Sequence, residues 1–152
     1  MTTDSFDLWM AAALDEARRA RDGGEVPIGA VVAIGDHIVG RGFNQPIGSR
    51  DPTAHAEVVA IRDAARTTGN YRLSGSVLCV TIEPCLMCVG AIVHARIATV
   101  VFGAAEPRSG ALVSTVRGGD LPGHNHRFDV LAGVREAECR ALMQTFFESR
   151  RR

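Results

Sequence analysis

Two short segments of the chain carry side chains that bind metal ions and transfer protons. They are HAE at residues 55–57 and PCLMC at residues 84–88, and each comes directly after a predicted loop or strand. Helical residues three positions apart lie on one face, so the Cys85 and Cys88 thiols can converge on a single ion. A helix N-terminus also lowers a thiol pKa, which favours the thiolate that binds metal. The spacing therefore predicts a metal site at the start of a helix.

His55 supplies a third ligand to this site. Two thiolates with one imidazole match a catalytic zinc site, in which water takes the fourth position. Bound zinc lowers the pKa of that water to about 7, and a general acid and base must then move its protons. Glu57 stands two residues from His55 and is placed for this role. Burial would raise the pKa of Glu57 and the cation would lower it, and the sequence leaves the balance open.

Two other interpretations of these residues stay open at this point. A C-x-x-C pair also occurs as a redox pair or a disulfide, although such sites do not require a distant H-x-E. A closed structural zinc site needs a fourth protein ligand, for which the candidates are His94, His124 and His126. His94 follows Cys88 by six residues and does not share its helical face, and the other two histidines fall in a predicted loop.

Hydrophobic periodicity predicts the elements that precede the first segment. Apolar residues at three- and four-residue steps indicate a helix over 5–21, capped by Asp4 or Ser5 and stopped by the glycines at 23–24. The stretch IGAVVAIGDHIVGRG then predicts a β-hairpin that turns at a Gly-Asp pair.

A loop, a helix and a strand are predicted around the HAE segment. Residues 43–53 contain two prolines and are predicted as loop. Asp51 or Thr53 can cap the helix that follows, which ends near Gly69. The continuous apolar run SVLCVTI then indicates a buried strand.

The PCLMC segment opens the last part of the chain. Pro84 is expected in the first turn of a helix over 85–96, where its missing N–H costs nothing. The stretch ATVVFG predicts another buried strand, residues 104–127 a long loop at an active site or interface, and residues 134–150 a closing helix. The order α-β-β-α-β-α-β-loop-α indicates a mixed sheet covered by helices.

Composition places the chain among ordinary globular proteins. Its 152 residues fit one domain, 1–152, with 46% apolar and 22% charged residues. No apolar run approaches the roughly 20 residues that span a bilayer, and the N-terminus lacks the basic start of a secretory signal. We therefore expect a cytoplasmic protein without a membrane partner. Four cysteines in such a chain argue against a disulfide framework.

The net charge of zero does not by itself point to a nucleic-acid partner. Residues 1–90 hold 8 Arg and 11 acids, whereas residues 91–152 hold 9 Arg and 6 acids, which gives −3 and +3. The chain ends in arginines at 150–152, which either complement the dipole of a helix or contact phosphate.

H-x-E followed by P-C-x-x-C is typical of zinc nucleobase deaminases. Beyond this motif, segments from residue 6 to residue 152 resemble the bacterial tRNA-specific adenosine deaminases: VPIGAVV, GFNQPIGSRDPTAHAE, NYRL, TIEPCLMCVGAIVHARI, VFGA and FFESRRR. The resemblance implies a three-layer α/β/α cytidine-deaminase-like fold with a central mixed five-stranded sheet. It also implies a homodimer with one Zn²⁺ per subunit, its active sites close to the interface. The implied reaction converts adenosine to inosine at the wobble position of a tRNA anticodon loop and releases ammonia.

The resemblance also implies roles for individual residues. His55, Cys85 and Cys88 match the zinc ligands, and Glu57 matches the proton shuttle. Further substrate contacts are expected from the Asn44 side chain, an apolar wall at Val26, the carbonyl of Glu83, and the backbone N–H groups of Ala56 and Cys85.

The closing helix and the segment after Gly103 bear on the neighbouring nucleotide. Phe146 and Phe147 stand where the family has aromatic residues near the substrate, and either stacking on bases or core packing accounts for them. The sequence departs from the common family pattern after Gly103, because AEP at residues 105–107 replaces Arg-Asp and a small residue. Glu106 keeps a carboxylate there on a longer arm, so the contact to the nucleotide beside the target is expected to differ.

Two rival functions share part of this evidence. A small-molecule deaminase acting on cytosine, guanine or a free nucleoside would use the same zinc residues. A non-catalytic zinc module that binds RNA would keep the metal and would not need Glu57.

Overall fold

The computed structural model describes residues 2–151, so Arg152 of the predicted basic run lies outside the described residues. The strands are β1 (Gly29–Ile34), β2 (His37–Phe43), β3 (Ser76–Ile82), β4 (Thr99–Ala104) and β5 (Asp129–Ala132). The helices are α1 (Thr3–Asp22), α2 (Pro46–Ser49), α3 (Ala56–Thr68), α4 (Leu86–Ala95) and α5 (Glu136–Arg150).

The five strands form one mixed sheet in the order β2-β1-β3-β4-β5. The hairpin β1–β2 is antiparallel, and β1 also runs antiparallel to β3. The pairs β3–β4 and β4–β5 are parallel. Because α4 links the parallel strands β3 and β4, its first turn follows the carboxyl end of β3, which is the edge where α/β proteins place their sites.

Helices cover both faces of the sheet. On one face, residues of α3 and α4 such as Ala60 and Ile92 pack on Leu78 and Phe102. On the other face, α1 and α5 contribute Met10, Leu14 and Cys139, which pack with alternate strand residues such as Val31 and Val101. Since successive side chains of a strand point to opposite faces, the continuous apolar runs are explained by burial on both sides. The three-layer α/β/α architecture is confirmed.

The structure corrects the predicted start of three helices. Thr2 caps α1, because its hydroxyl accepts the Ser5 N–H at 3.3 Å, so neither Asp4 nor Ser5 is the cap. His55 is the N-cap residue of α3. Asp51 instead accepts the N–H and the hydroxyl of Thr53 inside the preceding loop.

The third correction concerns α4. Cys85 is the residue before its first turn, so Pro84 precedes the helix instead of lying in its first turn.

Besides a 3₁₀ turn at Gly118–Asp120, two short elements were missed by the residue pattern, although the family resemblance implied a fifth strand. The loop predicted over 43–53 contains the single-turn helix α2, which Pro46 begins. Strand β5 lies just after the predicted loop over 104–127, and all four of its residues are exposed. Such a short edge strand shows neither an alternation of apolar and polar residues nor a continuous apolar run. Only its pairing with β4 defines it as a strand.

Gly40 marks the closest approach of β2 to α3. A Cβ at this position would lie 2.6 Å from the Ala64 N atom and 2.7 Å from the Ala64 Cβ atom. We expect Gly40→Ala to lower the free energy of unfolding by about 1–3 kcal/mol through overpacking, measured by urea denaturation. Gly23→Ala is the control, because its nearest neighbour would be 3.6 Å away at φ −88°. Equal midpoints for the two variants would contradict this contact.

Among residues 2–151, none of the helices combines the length and the apolar character needed to cross a membrane.

Candidate active site and metal centre

The metal-binding side chains meet where α3 and α4 begin on the same face of the sheet. His55 directly precedes α3, Cys85 directly precedes α4, and Cys88 is the third residue of α4. The Nδ1 atom of His55 lies 3.6 Å from the Sγ atom of Cys85 and 3.6 Å from that of Cys88. The three ligand atoms lie within 4.8 Å of one another. The structure thus brings the three predicted ligands together.

These distances fit one zinc ion. With Zn–S near 2.3 Å and Zn–N near 2.0–2.1 Å, tetrahedral angles require an N···S separation of about 3.6 Å. The observed separations match this value without any rearrangement. Both helix N-termini also point at the cluster, and their partial positive charge favours thiolates. The chain therefore has a preformed site for the ion that its donor set prefers.

The two thiols share their protons unequally. The pKa of Cys85 is lowered to about 5, chiefly because its sulfur accepts a hydrogen bond from Cys88. The pKa of Cys88 is raised, because it donates that bond and is buried. A divalent cation is the group that allows both sulfurs to be thiolates at once. The pair is therefore suited to metal binding.

Glu57 lies in the first turn of α3, against the Cys88 thiol, and only 4% of its surface is exposed. Burial raises the pKa of Glu57 to about 7, and the charge on Cys85 adds to this shift. Burial is thus the largest effect of the protein on this carboxyl group, and a bound cation would act in the opposite direction. A carboxyl group with a pKa near neutrality can both accept and return a proton, as a general acid and base must.

A closed structural zinc site would need a fourth protein ligand, and none lies in the cluster among residues 2–151. The cluster of metal-binding side chains contains His55, Cys85 and Cys88 only. The imidazoles of His124 and His126 are instead hydrogen bonded to the backbone carbonyls of Gly118 and Ile97. His94 is exposed on the outer side of α4. Three protein ligands are the number found in catalytic zinc sites.

Asn44 borders the site and joins two of its segments. The side-chain Oδ1 atom of this buried residue accepts the Ala56 N–H at 2.9 Å. The backbone N–H of Asn44 donates to the Ile28 carbonyl at 3.0 Å. Asn44 thereby satisfies an N–H at the start of α3 from outside the helix. The Ala56 N–H is thus bonded to Asn44 in this structure, and its predicted substrate role stays a prediction that requires exchange of this bond. Val26 is half-buried, two residues before Ile28 in this same segment.

The side chain of Glu83 is a feature that sequence reasoning missed. It is 3% exposed and accepts hydrogen bonds from the segment over 106–114. Burial acts to raise the pKa of Glu83, but the hydrogen bonds from Ser114, Val113 and Glu106 outweigh it and lower the pKa. The sequence offered one signal, an acidic residue directly after a fully buried strand.

The residues expected to contact the neighbouring nucleotide share one cleft. Glu106 and Phe147 both line a cleft of about 450 Å³ between the end of β4 and α5, together with Ile82, Ala104, Arg140 and Met143. Phe147 is 41% exposed, whereas its neighbour Phe146 is buried at 9%. The two interpretations of this pair therefore divide: Phe146 packs in the interior, and Phe147 is free to contact a ligand.

Comparison with known proteins places this geometry in a family. The model of the cytidine and deoxycytidylate deaminase zinc-binding region matches residues 4–104, which include all three metal-binding side chains and Glu57.

Individual relatives and solved structures are similar over most of the chain. A tRNA-specific adenosine deaminase from Haemophilus influenzae is 46% identical over 143 residues, covering 93% of this chain and 83% of the relative. A structure from work on A-to-I editing by tRNA:A34 deaminases at the wobble position is 42% identical. It covers 88% of this chain and 97% of its own, with a TM-score of 0.86. A guanine deaminase from Bacillus subtilis is 39% identical over 64% of this chain and 63% of its own, with a TM-score of 0.62.

Proposed function

Because the chain belongs to the tRNA-specific adenosine deaminases, within the family of the cytidine and deoxycytidylate deaminase zinc-binding region, we propose that it deaminates adenosine to inosine in tRNA. The substrate position is the wobble nucleotide of an anticodon loop, and the second product is ammonia. One observation carries this proposal: a preformed site of one imidazole and two thiols lies beside a buried glutamate.

The proposed mechanism uses Glu57 at each proton transfer. His55, Cys85 and Cys88 would hold a zinc ion, which would supply the Lewis acidity that lowers the pKa of a water to about 7. Glu57 takes a proton from the attacking water, whose oxygen bonds to C6 of the adenine. The carboxyl group delivers this proton to N1 of the ring, then takes the remaining proton of the hydroxyl now on C6 and delivers it to the exocyclic amine. The C6–N bond breaks, ammonia leaves, and C6 keeps the oxygen as the carbonyl of inosine.

The target adenosine must leave its stack to reach this site. We propose that the Asn44 side chain and Val26 line the base pocket, with the Glu83 carbonyl and the Cys85 N–H as backbone contacts. Asn44 can contact the nucleoside through its amide NH₂, since its carbonyl oxygen holds Ala56. Glu106 and Phe147 are proposed to hold the adjacent nucleotide, because both line the cleft between the end of β4 and α5.

The proposal is tested with purified chain and defined RNA. The substrates are a tRNA with adenosine at the wobble position, the same tRNA with guanosine there, and free adenosine, guanine and cytosine. We expect ammonia from the first substrate only, with inosine read as an A-to-G change at that position by reverse transcription. Ammonia from the free compounds alone would instead identify a small-molecule deaminase.

We propose that residues 1–152 act as one deaminase domain, since a single sheet joins β1 to β5. We also propose a cytoplasmic location, because the proposed substrate is tRNA and the tRNA pool is in the cytoplasm.

The outer surface of α3 and α4 supports a homodimer. A shallow groove of about 300 Å³ runs between the two helices and is lined by Val58, Ile61, Arg62, Ala65, Tyr71, Ala91, His94 and Ala95. Tyr71 is 71% exposed, and the exposed lining of the groove is mainly apolar. We propose that a second copy of the chain covers this surface, since both helices also begin at the metal site.

Ala91→Arg is expected to convert the dimer to a monomer, because it introduces a charge into an apolar interface. Light scattering coupled to size-exclusion chromatography should give the mass of two chains for the wild type and of one for the variant. Ala137→Arg, on an exposed position of α5, is the matched control and should stay dimeric. A wild-type mass of one chain would contradict the proposed homodimer.

A further inference from the structure

The carboxylate of Glu83 holds a long irregular segment through five donors. Its Oε1 atom accepts the Glu106 N–H at 3.1 Å and the hydroxyl of Ser114. Its Oε2 atom accepts three successive N–H groups at 3.0, 2.9 and 3.0 Å, from Leu112, Val113 and Ser114. Four backbone N–H groups of one segment therefore end on a single side chain.

This segment, residues 105–114, is here called the rim loop. It has no regular secondary structure, and its outer residues at 107–109 are exposed. The rim loop is also bonded to the residue after Glu83, because the Pro84 carbonyl accepts the Ala111 N–H at 2.8 Å. Glu83 and Pro84 lead directly into Cys85, so the rim loop is attached to the segment that carries a metal ligand.

Gly110 shows how closely the carboxylate and the rim loop fit. A Cβ at this position would overlap the Glu83 carboxyl group and would lie 2.6 Å from the Glu106 carbonyl oxygen. Gly110 is buried although its neighbours at 107–109 are exposed. The loop can therefore close over the carboxylate only because residue 110 has no side chain.

The rim loop also contributes residues to the cleft between the end of β4 and α5. Ala105 and Glu106 line this cleft together with Ile82, Ala104 and Phe147. The Glu106 N–H is bound by Glu83, and the Glu106 side chain accepts the Arg108 N–H at 2.9 Å. The position of Glu106 relative to the metal site thus depends on the Glu83 carboxylate.

We infer that the side chain of Glu83 is a positioning residue, which fixes the rim loop against the Cys85 segment and thereby shapes the subsite for the nucleotide next to the target adenosine. The role rests on the proposed function, because the subsite has meaning only for an oligonucleotide substrate. The Glu83 carboxylate is bonded to the rim loop, so its role is separate from the base contact proposed for the backbone carbonyl of the same residue. A loss of its carboxylate should therefore weaken substrate binding more than the chemical step.

Glu83→Gln tests this role with little change in volume. The glutamine amide has one acceptor oxygen, and its NH₂ group would face other donors. It therefore cannot accept all five hydrogen bonds that the Glu83 carboxylate accepts. We expect kcat/KM for the tRNA substrate to fall about 10- to 100-fold, mainly through KM, with kcat within about 3-fold. Zinc content should remain one per chain. Amide exchange at Glu106, Leu112, Val113 and Ser114 should rise about 10-fold or more.

A second variant acts on the same contact from the other side. Gly110→Ala leaves Glu83 intact but displaces the rim loop, so it should reproduce the rise in KM and the faster exchange. Glu16→Gln is the matched control, since Glu16 is also 3% exposed but lies in α1, where its carboxylate accepts hydrogen bonds from Arg19 of the same helix. Gly23→Ala controls for the glycine substitution. Both controls should match the wild type in KM and in exchange of the rim loop.

Several results would overturn the inference. One is wild-type exchange at the four amides in Glu83→Gln, and another is a fall in kcat with KM unchanged. Loss of zinc from Glu83→Gln and Gly110→Ala would also overturn it, since the residue would then support the metal site. If the wild-type chain leaves tRNA unreacted, the proposed function and the subsite fall together. The exchange measurement would still decide whether Glu83 holds the rim loop.

Discussion

Replacing Glu57 by Gln is expected to lower turnover of the wobble adenosine by about 10²- to 10⁴-fold, the loss typical of a missing general acid or base. Gln keeps the size of the side chain and its contact with Cys88, but it can neither accept nor return a proton at neutral pH. Because burial already disfavours the charged carboxylate, the variant should fold as the wild type does. Turnover is measured as inosine formed per chain under single-turnover conditions.

Zinc content separates this result from simple damage to the site. Glu57→Gln should keep one zinc per chain by elemental analysis, because the ligands are His55, Cys85 and Cys88. Glu16→Gln, another buried glutamate, should retain wild-type turnover. A non-catalytic RNA-binding module would give equal behaviour for the Glu57 variant and the wild type. Wild-type turnover in Glu57→Gln would thus remove Glu57 from the mechanism.

The metal cluster could be predicted from the sequence because its geometry is mostly local. Cys85 and Cys88 stand at the start of one helix, and their separation follows from helical spacing alone. His55 directly precedes a second helix on the same face of the sheet. The prediction of the cluster therefore depended on only one long-range contact, between the starts of α3 and α4. Glu57 follows from His55 by position in the same turn.

The residues around the cluster depend on contacts that no local pattern reveals. Asn44 satisfies the Ala56 N–H from twelve residues away, and so the predicted caps Asp51 and Thr53 were wrong. The partners of the Glu83 side chain lie 23 to 31 residues further along the chain. A buried carboxylate needs several donors, yet the sequence does not show which segment provides them.

The sheet shows the same division between local and distant information. Strands β1, β3 and β4 have continuous apolar runs, because helices cover both of their faces. Strand β5 has only four residues, all of them exposed, and its existence depends on pairing from Thr99↔Asp129 onward. The fifth strand was therefore expected only from the family resemblance, and the structure confirms it.

Replacing Cys88 by Ser is expected to abolish zinc binding and, with it, turnover. Cys88 is fully buried, so a serine there can neither become an alkoxide nor be replaced by another side chain. Disturbing only the partners of metal ligands typically costs 10- to 100-fold in affinity, and loss of a ligand should cost more. We expect less than about 0.1 zinc per chain after dialysis and turnover at least about 10³-fold below wild type.

Cys79→Ser is the matched control for this prediction. Cys79 is equally buried and free, but it lies within β3 and packs on the opposite face of the sheet from the metal site. It should keep one zinc per chain and wild-type turnover, with some loss of stability from the buried hydroxyl. Thermal unfolding adds a second readout. Zinc added to chelator-treated protein should raise the Tm of the wild type and of Cys79→Ser, but not of Cys88→Ser.

The opposite outcome would also have a definite structural meaning. Full zinc content in Cys88→Ser would require another protein atom to replace the lost sulfur. Among residues 2–151 the remaining histidines near this layer are His94, His124 and His126. The last two would first have to give up their bonds to the Gly118 and Ile97 carbonyls. A site that recruited one of them would be a closed structural centre, and a catalytic role for the zinc would no longer follow from its ligands.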